Sequence, residues 1–136
     1  MTIYVWTLSA EEDVRACATG WAREQRATQI ADSGSRHRNS LAGMRTGDTL
    51  VIVAHGSPTS IGTSHSAVDY TAAQLATYLV TQLGIPDQVH VVIAACYTDQ
   101  FARNLQTQLG GSTLNRGHIA CLGQRGAFSF SSSFRP

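Results

Sequence analysis

The chain has 136 residues, of which 43% are hydrophobic, and its formal net charge is +1. This length suits one domain with a substantial apolar core. The near-neutral charge excludes the strongly basic surface that binds nucleic acids or anionic membranes, and no apolar run is long enough to span a bilayer. Residues 1–8 lack the features of a secretory signal. We therefore predict a cytoplasmic protein, or one delivered to a target cell without a classical signal peptide.

Three cysteines are present, Cys17, Cys96 and Cys121. Their odd number and wide spacing argue against a disulfide framework or a structural zinc site. Cys17 lies beside the apolar stripe of a predicted helix and Cys121 within an apolar run, and both are predicted to be buried small residues. The cysteine pattern therefore favours a reducing compartment, and we predict no metal and no cofactor.

The first third of the chain predicts one strand, one helix and a polar segment. Residues 2–8 are β-branched and aromatic, which is typical of a strand. Ser9 and Glu12 form a capping box that predicts a helix over about residues 10–26. Residues 30–47 are polar and predict either a long loop or a weak helix between loops.

Two strongly apolar strands are predicted in the middle of the chain, at residues 49–54 and 88–95. Their continuous β-branched runs are typical of strands buried on both faces of a parallel sheet. The other predicted elements are a loop at 56–66, a helix ending near residue 83, a helix at 99–109 with Asp99 as its cap, a strand at 118–122, a short edge strand at 127–130 and a frayed end at 131–136.

This alternation of strands and helices predicts an α/β fold. Right-handed crossovers would put helices on both faces of the sheet. We therefore expect a three-layer αβα sandwich with a mostly parallel sheet of about five strands, in a single domain over residues 1–136.

A histidine and a cysteine stand at the ends of the two apolar strands. His55 and Cys96 each follow such a strand, and one crossover separates them. The carboxyl edge of an open α/β sheet is where ligands bind, and an imidazole there can activate a thiol. Gly56 lets the backbone approach a ligand, and its N–H can face a developing oxyanion. We therefore predict that His55 and Cys96 are catalytic.

The segments VIVAHG at residues 51–56 and VVIAAC at 91–96 resemble the motifs of caspase-like cysteine peptidases, a group that includes caspases, metacaspases and legumains. The resemblance covers about residues 48–110 and implies a caspase-like fold with endopeptidase activity on a protein or peptide. It implies that Cys96 forms a thioester with the substrate and that His55 protonates the leaving amine. Backbone N–H groups of Gly56 and Cys96 would hold the oxyanion.

Residues beside the dyad are the predicted substrate contacts, namely Ser57, Tyr97 and Asp99. Asp99 either contacts a basic substrate group or caps the following helix. Relatives that cleave after Arg or Lys often carry an acid where this chain has Ala94, so a basic preference is not predicted.

Two alternatives remain open. The His-Gly-Ser motif at residues 55–57 is also similar to that of small tetrapyrrole metal chelatases, in which His118 would be the second histidine. A catalytically inactive caspase-like domain that binds partners is the other alternative. A Cys96→Ala variant separates the peptidase, which would lose activity, from the binding domain, which would not.

Overall fold

The computed structural model describes residues 1–8, 11–30, 38–62, 69–131 and 133–136. No helix in these ranges is long and apolar enough to cross a membrane. In chain order the elements are β1 (Ile3–Thr7), α1 (Glu12–Glu24), β2 (Thr28–Ile30), β3 (Thr49–Val53), β4 (His55–Gly56), β5 (Ile61–Gly62), β6 (Asp69–Tyr70), α2 (Ala72–Thr81), β7 (His90–Ala94), α3 (Asp99–Leu109) and β8 (Ala120–Leu122).

The central feature is a five-stranded sheet with the strand order β2-β1-β3-β7-β8. All its neighbouring strands are parallel. β3 lies in the middle, and each of its residues is buried. The structure thus confirms the predicted α/β fold with a mostly parallel sheet of about five strands.

The two faces of the sheet bury separate apolar clusters because successive residues of a strand point to opposite sides. Leu50 and Ile52 of β3 join the larger cluster, which holds the buried residues of α2 and α3. Val51 and Val53 join the smaller cluster beneath α1. Helices therefore flank both faces, as a three-layer sandwich requires.

Helix α1 packs on the sheet through its buried residues Ala18, Trp21 and Ala22. The C-terminal tail completes this layer, because its three phenylalanines pack against the same cluster. The Trp21 Nε1–H donates to the carbonyl oxygen of Phe134 at 2.8 Å. The prediction of a frayed end at 131–136 is therefore wrong at Phe134, whose ring lies against Trp21 with centroids 5.5 Å apart.

Most of the other differences from the predicted elements are short strands that were not predicted. β2 pairs with β1 at the edge of the sheet. β4, β5 and β6 form a small antiparallel sheet that includes part of the predicted loop at 56–66, of which residues 63–66 lie outside the described ranges. Strands of two or three residues carry too little periodicity to be predicted. The predicted edge strand at 127–130 is not a strand.

Both predicted helix caps are wrong. The N-cap residue of α1 is Glu11, whose carbonyl accepts from the N–H of Arg15, whereas Ser9 lies outside the described residues. The N-cap residue of α3 is Thr98, and Asp99 is the first helical residue. There the acid favours the helix through the macrodipole and pairs with Arg103, one turn later, at 3.0 Å.

Candidate active site

His55 and Cys96 each follow the end of one of two neighbouring strands, β3 and β7. Val53 at the end of β3 is opposite Ala94 at the end of β7. His55 and Cys96 each follow two residues later. Because β3 and β7 are adjacent and parallel, both residues emerge at the carboxyl edge of the sheet.

The two side chains also share a cavity, on the face of the sheet that α1 covers. The cavity has a volume of about 330 Å³. Four separate segments of the chain form its walls. The lining residues are Glu11, Asp13 and Val14 from the start of α1, Val53, Ala54, His55 and Gly56, Ala94 and Cys96, and Phe128, Ser129 and Phe130 from the tail.

The imidazole of His55 meets a carboxylate that the sequence did not indicate. His55 Nε2 lies 3.0 Å from Glu11 Oε1, and both side chains are 42% exposed. The Nε2 atom itself is buried, and no group in the described ranges bonds to it with good hydrogen-bond geometry. The short approach to Glu11 therefore lacks the alignment of a hydrogen bond.

The thiol of Cys96 contacts both polar backbone groups of Phe128 in the tail. Cys96 Sγ lies 3.3 Å from the Phe128 carbonyl oxygen, to which it can donate. The Phe128 N–H donates to the same sulfur at 3.2 Å. Since Cys96 is half-buried, these contacts fix the position of a thiol that solvent still reaches.

The turn after Cys96 is tied to the tail by its backbone. Tyr97 has a φ of 55°, and its N–H donates to the Gly126 carbonyl at 3.0 Å. The buried Thr98 hydroxyl donates to the Ala95 carbonyl at 2.8 Å and accepts from the Gln124 N–H at 3.2 Å. A left-handed conformation costs a non-glycine residue about 1–2 kcal/mol. These hydrogen bonds offset part of that strain and hold the cysteine at the cavity.

Gly56, whose N–H was predicted to face an oxyanion, lies at the edge of the cavity beside Cys96. It packs directly against the backbone of Cys96 and against the side chain of Thr98. The strand end that carries His55 and the turn that carries Cys96 are therefore in van der Waals contact. No bulkier residue fits between them.

The three predicted substrate contacts lie outside the lining of this cavity. The Ser57 hydroxyl closes a turn by accepting from the Ser60 N–H at 3.1 Å. Tyr97 is 53% exposed. Asp99 is engaged with Arg103 on α3. The structure thus brings together His55, Gly56 and Cys96 of the predicted set.

The pair of histidines that the chelatase alternative needs is not brought together. His118 precedes β8, whereas His55 follows β3, and parallel strands put these positions at opposite edges of the sheet. At about 3.3 Å per residue the five residues of β3 alone separate the edges by more than about 15 Å. His118 instead pairs with Asp87 at 2.9 Å. The hydrogen bond from the His118 side chain holds the pKa of Asp87 below its usual value.

The other two cysteines differ from Cys96 in their surroundings. Cys121 is buried, as predicted, and burial raises its pKa to about 12. The prediction that Cys17 is buried is wrong, because Cys17 is only half-buried and donates to the Phe130 carbonyl at 3.2 Å. All three cysteines are free thiols. Across the described ranges no three His, Cys, Asp or Glu side chains are grouped as metal ligands would be.

Two parts of the site were missed from the sequence. Glu11 reaches His55 because β1 and β3 are neighbours in the sheet, so the chain that leaves β1 enters α1 beside the end of β3. Residues 128–130 reach Cys96 because the tail folds back over the α1 face. Acidic residues at the predicted start of α1 are visible in the sequence. The strand order is needed to place one of them beside His55.

The chain was also compared with known proteins. No protein-family model matches it, and no curated protein is similar to it in sequence. A functional assignment therefore depends on the geometry of this cavity.

Proposed function

We propose that the chain is a cysteine peptidase that cleaves a protein or peptide with a Cys96–His55 dyad. The observation that carries the proposal is the shared cavity at the carboxyl edge of β3 and β7. An imidazole beside a half-exposed thiol is the minimum needed to generate a nucleophilic thiolate. The resemblance of both strand ends to the motifs of caspase-like peptidases supports the same activity.

In the proposed reaction Cys96 Sγ bonds to the carbonyl carbon of the substrate and loses its proton to His55. The C–N bond then breaks, and His55 returns the proton to the leaving amine. In the second half His55 takes a proton from water as the water oxygen bonds to the same carbon. The C–S bond then breaks, the acid product leaves, and His55 returns the proton to sulfur. No cofactor takes part in this sequence.

The negative charge that develops on the substrate oxygen needs donors at the sheet edge. We assign this role to the backbone N–H groups of Gly56 and Cys96. The direct contact between Gly56 and the backbone of Cys96 supports this assignment, because it brings the two segments side by side. Rigid donors of this kind stabilise a tetrahedral intermediate without reorganisation during the reaction.

A non-catalytic binding domain is the second candidate function. The tail supports it, because Phe128 meets the Cys96 sulfur with both its N–H and its carbonyl oxygen. A substrate carbonyl must reach that sulfur, which the tail already contacts. In a pure binding domain the same contacts would simply hold a structural thiol.

The deciding experiment is labelling with a set of peptidyl acyloxymethyl ketones that vary in the residue next to the reactive group. The peptidase predicts labelling of the wild-type chain, none for Cys96→Ala, and a rate lowered by about 100-fold or more for His55→Ala. Cys17→Ala is the matched control, since it removes another half-buried thiol that donates to a tail carbonyl.

Circular dichroism of each variant checks that the fold is retained. Labelling that survives Cys96→Ala, or that is as fast without His55, would exclude the dyad. A wild-type chain that none of the peptidyl probes labels, while iodoacetamide modifies Cys96 at the same rate with and without His55, would indicate the binding domain.

A further inference from the structure

One carboxylate of the cavity lies directly beside the imidazole of His55. Glu11 is the N-cap residue of α1, yet its side chain makes no capping hydrogen bond to the helix. It lies instead against His55 Nε2. Both side chains are 42% exposed, and contacts between exposed side chains of this kind add little to stability. Stability therefore gives little reason for the contact.

The position of Glu11 determines which ring nitrogen is available for chemistry. Nε2 is buried and faces the carboxylate. The two nitrogens of an imidazole lie on different edges of the ring, so Nδ1 is left for proton exchange with sulfur or substrate. A carboxylate at one nitrogen fixes the tautomer of the ring and stabilises the imidazolium that forms when the other takes a proton.

We propose that Glu11 is a positioning residue for the dyad, one that holds His55 through Nε2 so that Nδ1 serves Cys96. This inference rests on the proposed function, because it gives Glu11 a part in the same reaction. The contact is already at hydrogen-bond distance, and the proposal requires the ring to align with the carboxylate. The restraint comes from β1 and α1, elements outside the two strands that carry the dyad.

A nuclear magnetic resonance experiment tests the contact without any activity. We expect an exchange-protected imidazole N–H proton in the wild-type spectrum, assigned to His55 by its loss in His55→Asn. It should disappear in Glu11→Gln and persist in Glu12→Gln. Glu12 is the matched control, because it is the neighbouring exposed acid in the first turn of α1. Absence of this proton from the wild-type chain, or its survival in Glu11→Gln, would overturn the proposal.

The rate of labelling by a peptidyl acyloxymethyl ketone tests whether Glu11 affects the reactivity of the dyad. We expect Glu11→Gln to lower the rate by about tenfold or more, since general-base assistance contributes about 10²–10⁴-fold and a misplaced ring loses part of it. Glu11→Asp, which restores the charge, should recover part of the loss, and Glu12→Gln should stay close to wild type.

The two proposals fail in different ways. If the wild-type chain is not labelled at all, the peptidase itself is excluded, whatever the spectra show. If the wild-type chain is labelled and depends on His55, but Glu11→Gln reacts at the wild-type rate, the dyad stands and the positioning role is overturned.

Discussion

Gly56 and Cys96 are packed so closely that a Cβ atom added to the glycine would lie 2.6 Å from the Cys96 carbonyl oxygen. The same atom would be 2.5 Å from Cγ2 of Thr98, which is buried. Gly56→Ala must therefore push the His55 strand end away from the cysteine turn. We expect a loss of about 1–3 kcal/mol in the free energy of unfolding, measured in urea. Peptidyl-probe labelling should slow as well, and an unchanged stability would show that the contact is looser.

Gly20 gives the opposite prediction for the same substitution. It lies in α1, is exposed, and has nothing within 4 Å of an added Cβ. Gly20→Ala should raise the free energy of unfolding by about 0.5–1 kcal/mol, because alanine loses less backbone entropy in a helix. Gly20→Ala and Gly56→Ala should be unfolded in urea under the same conditions, so that each variant is the control for the other. A loss of stability in Gly20→Ala would contradict the described surroundings of α1.

The strands that carry the dyad could be predicted because both are long, apolar and β-branched. The observed register puts Val53 of β3 opposite Ala94 of β7, and His55 and Cys96 each follow two residues later. Long periodic segments encode their own structure, since burial on both faces demands apolar side chains throughout. The core of the site was for that reason visible in the sequence.

The surroundings of the dyad could not be predicted, because they depend on contacts between distant segments. Glu11 becomes a neighbour of His55 through the strand order, which local patterns do not specify. The tail was expected to end in a frayed segment, but Phe134 gains a tryptophan partner on α1. The cap at Asp99 failed because the turn after Cys96 closes one residue earlier, at Thr98.

Thiol reactivity should separate the three cysteines. The pKa of Cys121 is raised to about 12 by burial, so at pH 8 the thiolate fraction is on the order of 10⁻⁴. We expect iodoacetamide to modify Cys96 and Cys17 in the folded chain and to leave Cys121 unmodified until urea is added. Mass mapping of the alkylated peptides gives the rate at each site. Modification of Cys121 at a similar rate without urea would show that its cluster opens easily.

Asp48 should make the fold sensitive to acid. The backbone N–H groups of Arg45 and Thr2 each donate to its carboxylate at 2.8 Å, and they lower its pKa from 3.8. A lowered pKa means that the carboxylate stabilises the fold above about pH 4, and that this stabilisation is lost as the pH falls through the folded value. Asp48→Asn should therefore be less stable at pH 7 and show a smaller loss between pH 5 and pH 2 (roughly the range in which such a carboxylate titrates). Equal acid dependence in both chains would contradict this role.

The packing of the tail on the α1 face of the sheet should affect the reactivity of Cys96. Phe134 contacts Trp21, Phe128 and Phe130 through its ring. Phe134→Ala should lower the free energy of unfolding by about 1 kcal/mol or more, because each such aromatic pair contributes about 0.5–1.5 kcal/mol. Since Phe128 also holds the Cys96 sulfur, the loosened tail should expose it, and iodoacetamide should modify Cys96 faster. Ser133→Ala, at an exposed neighbour, is the control for both measurements. Faster modification at Cys121 alone, with Cys96 unchanged, would show that the tail does not shield the thiol.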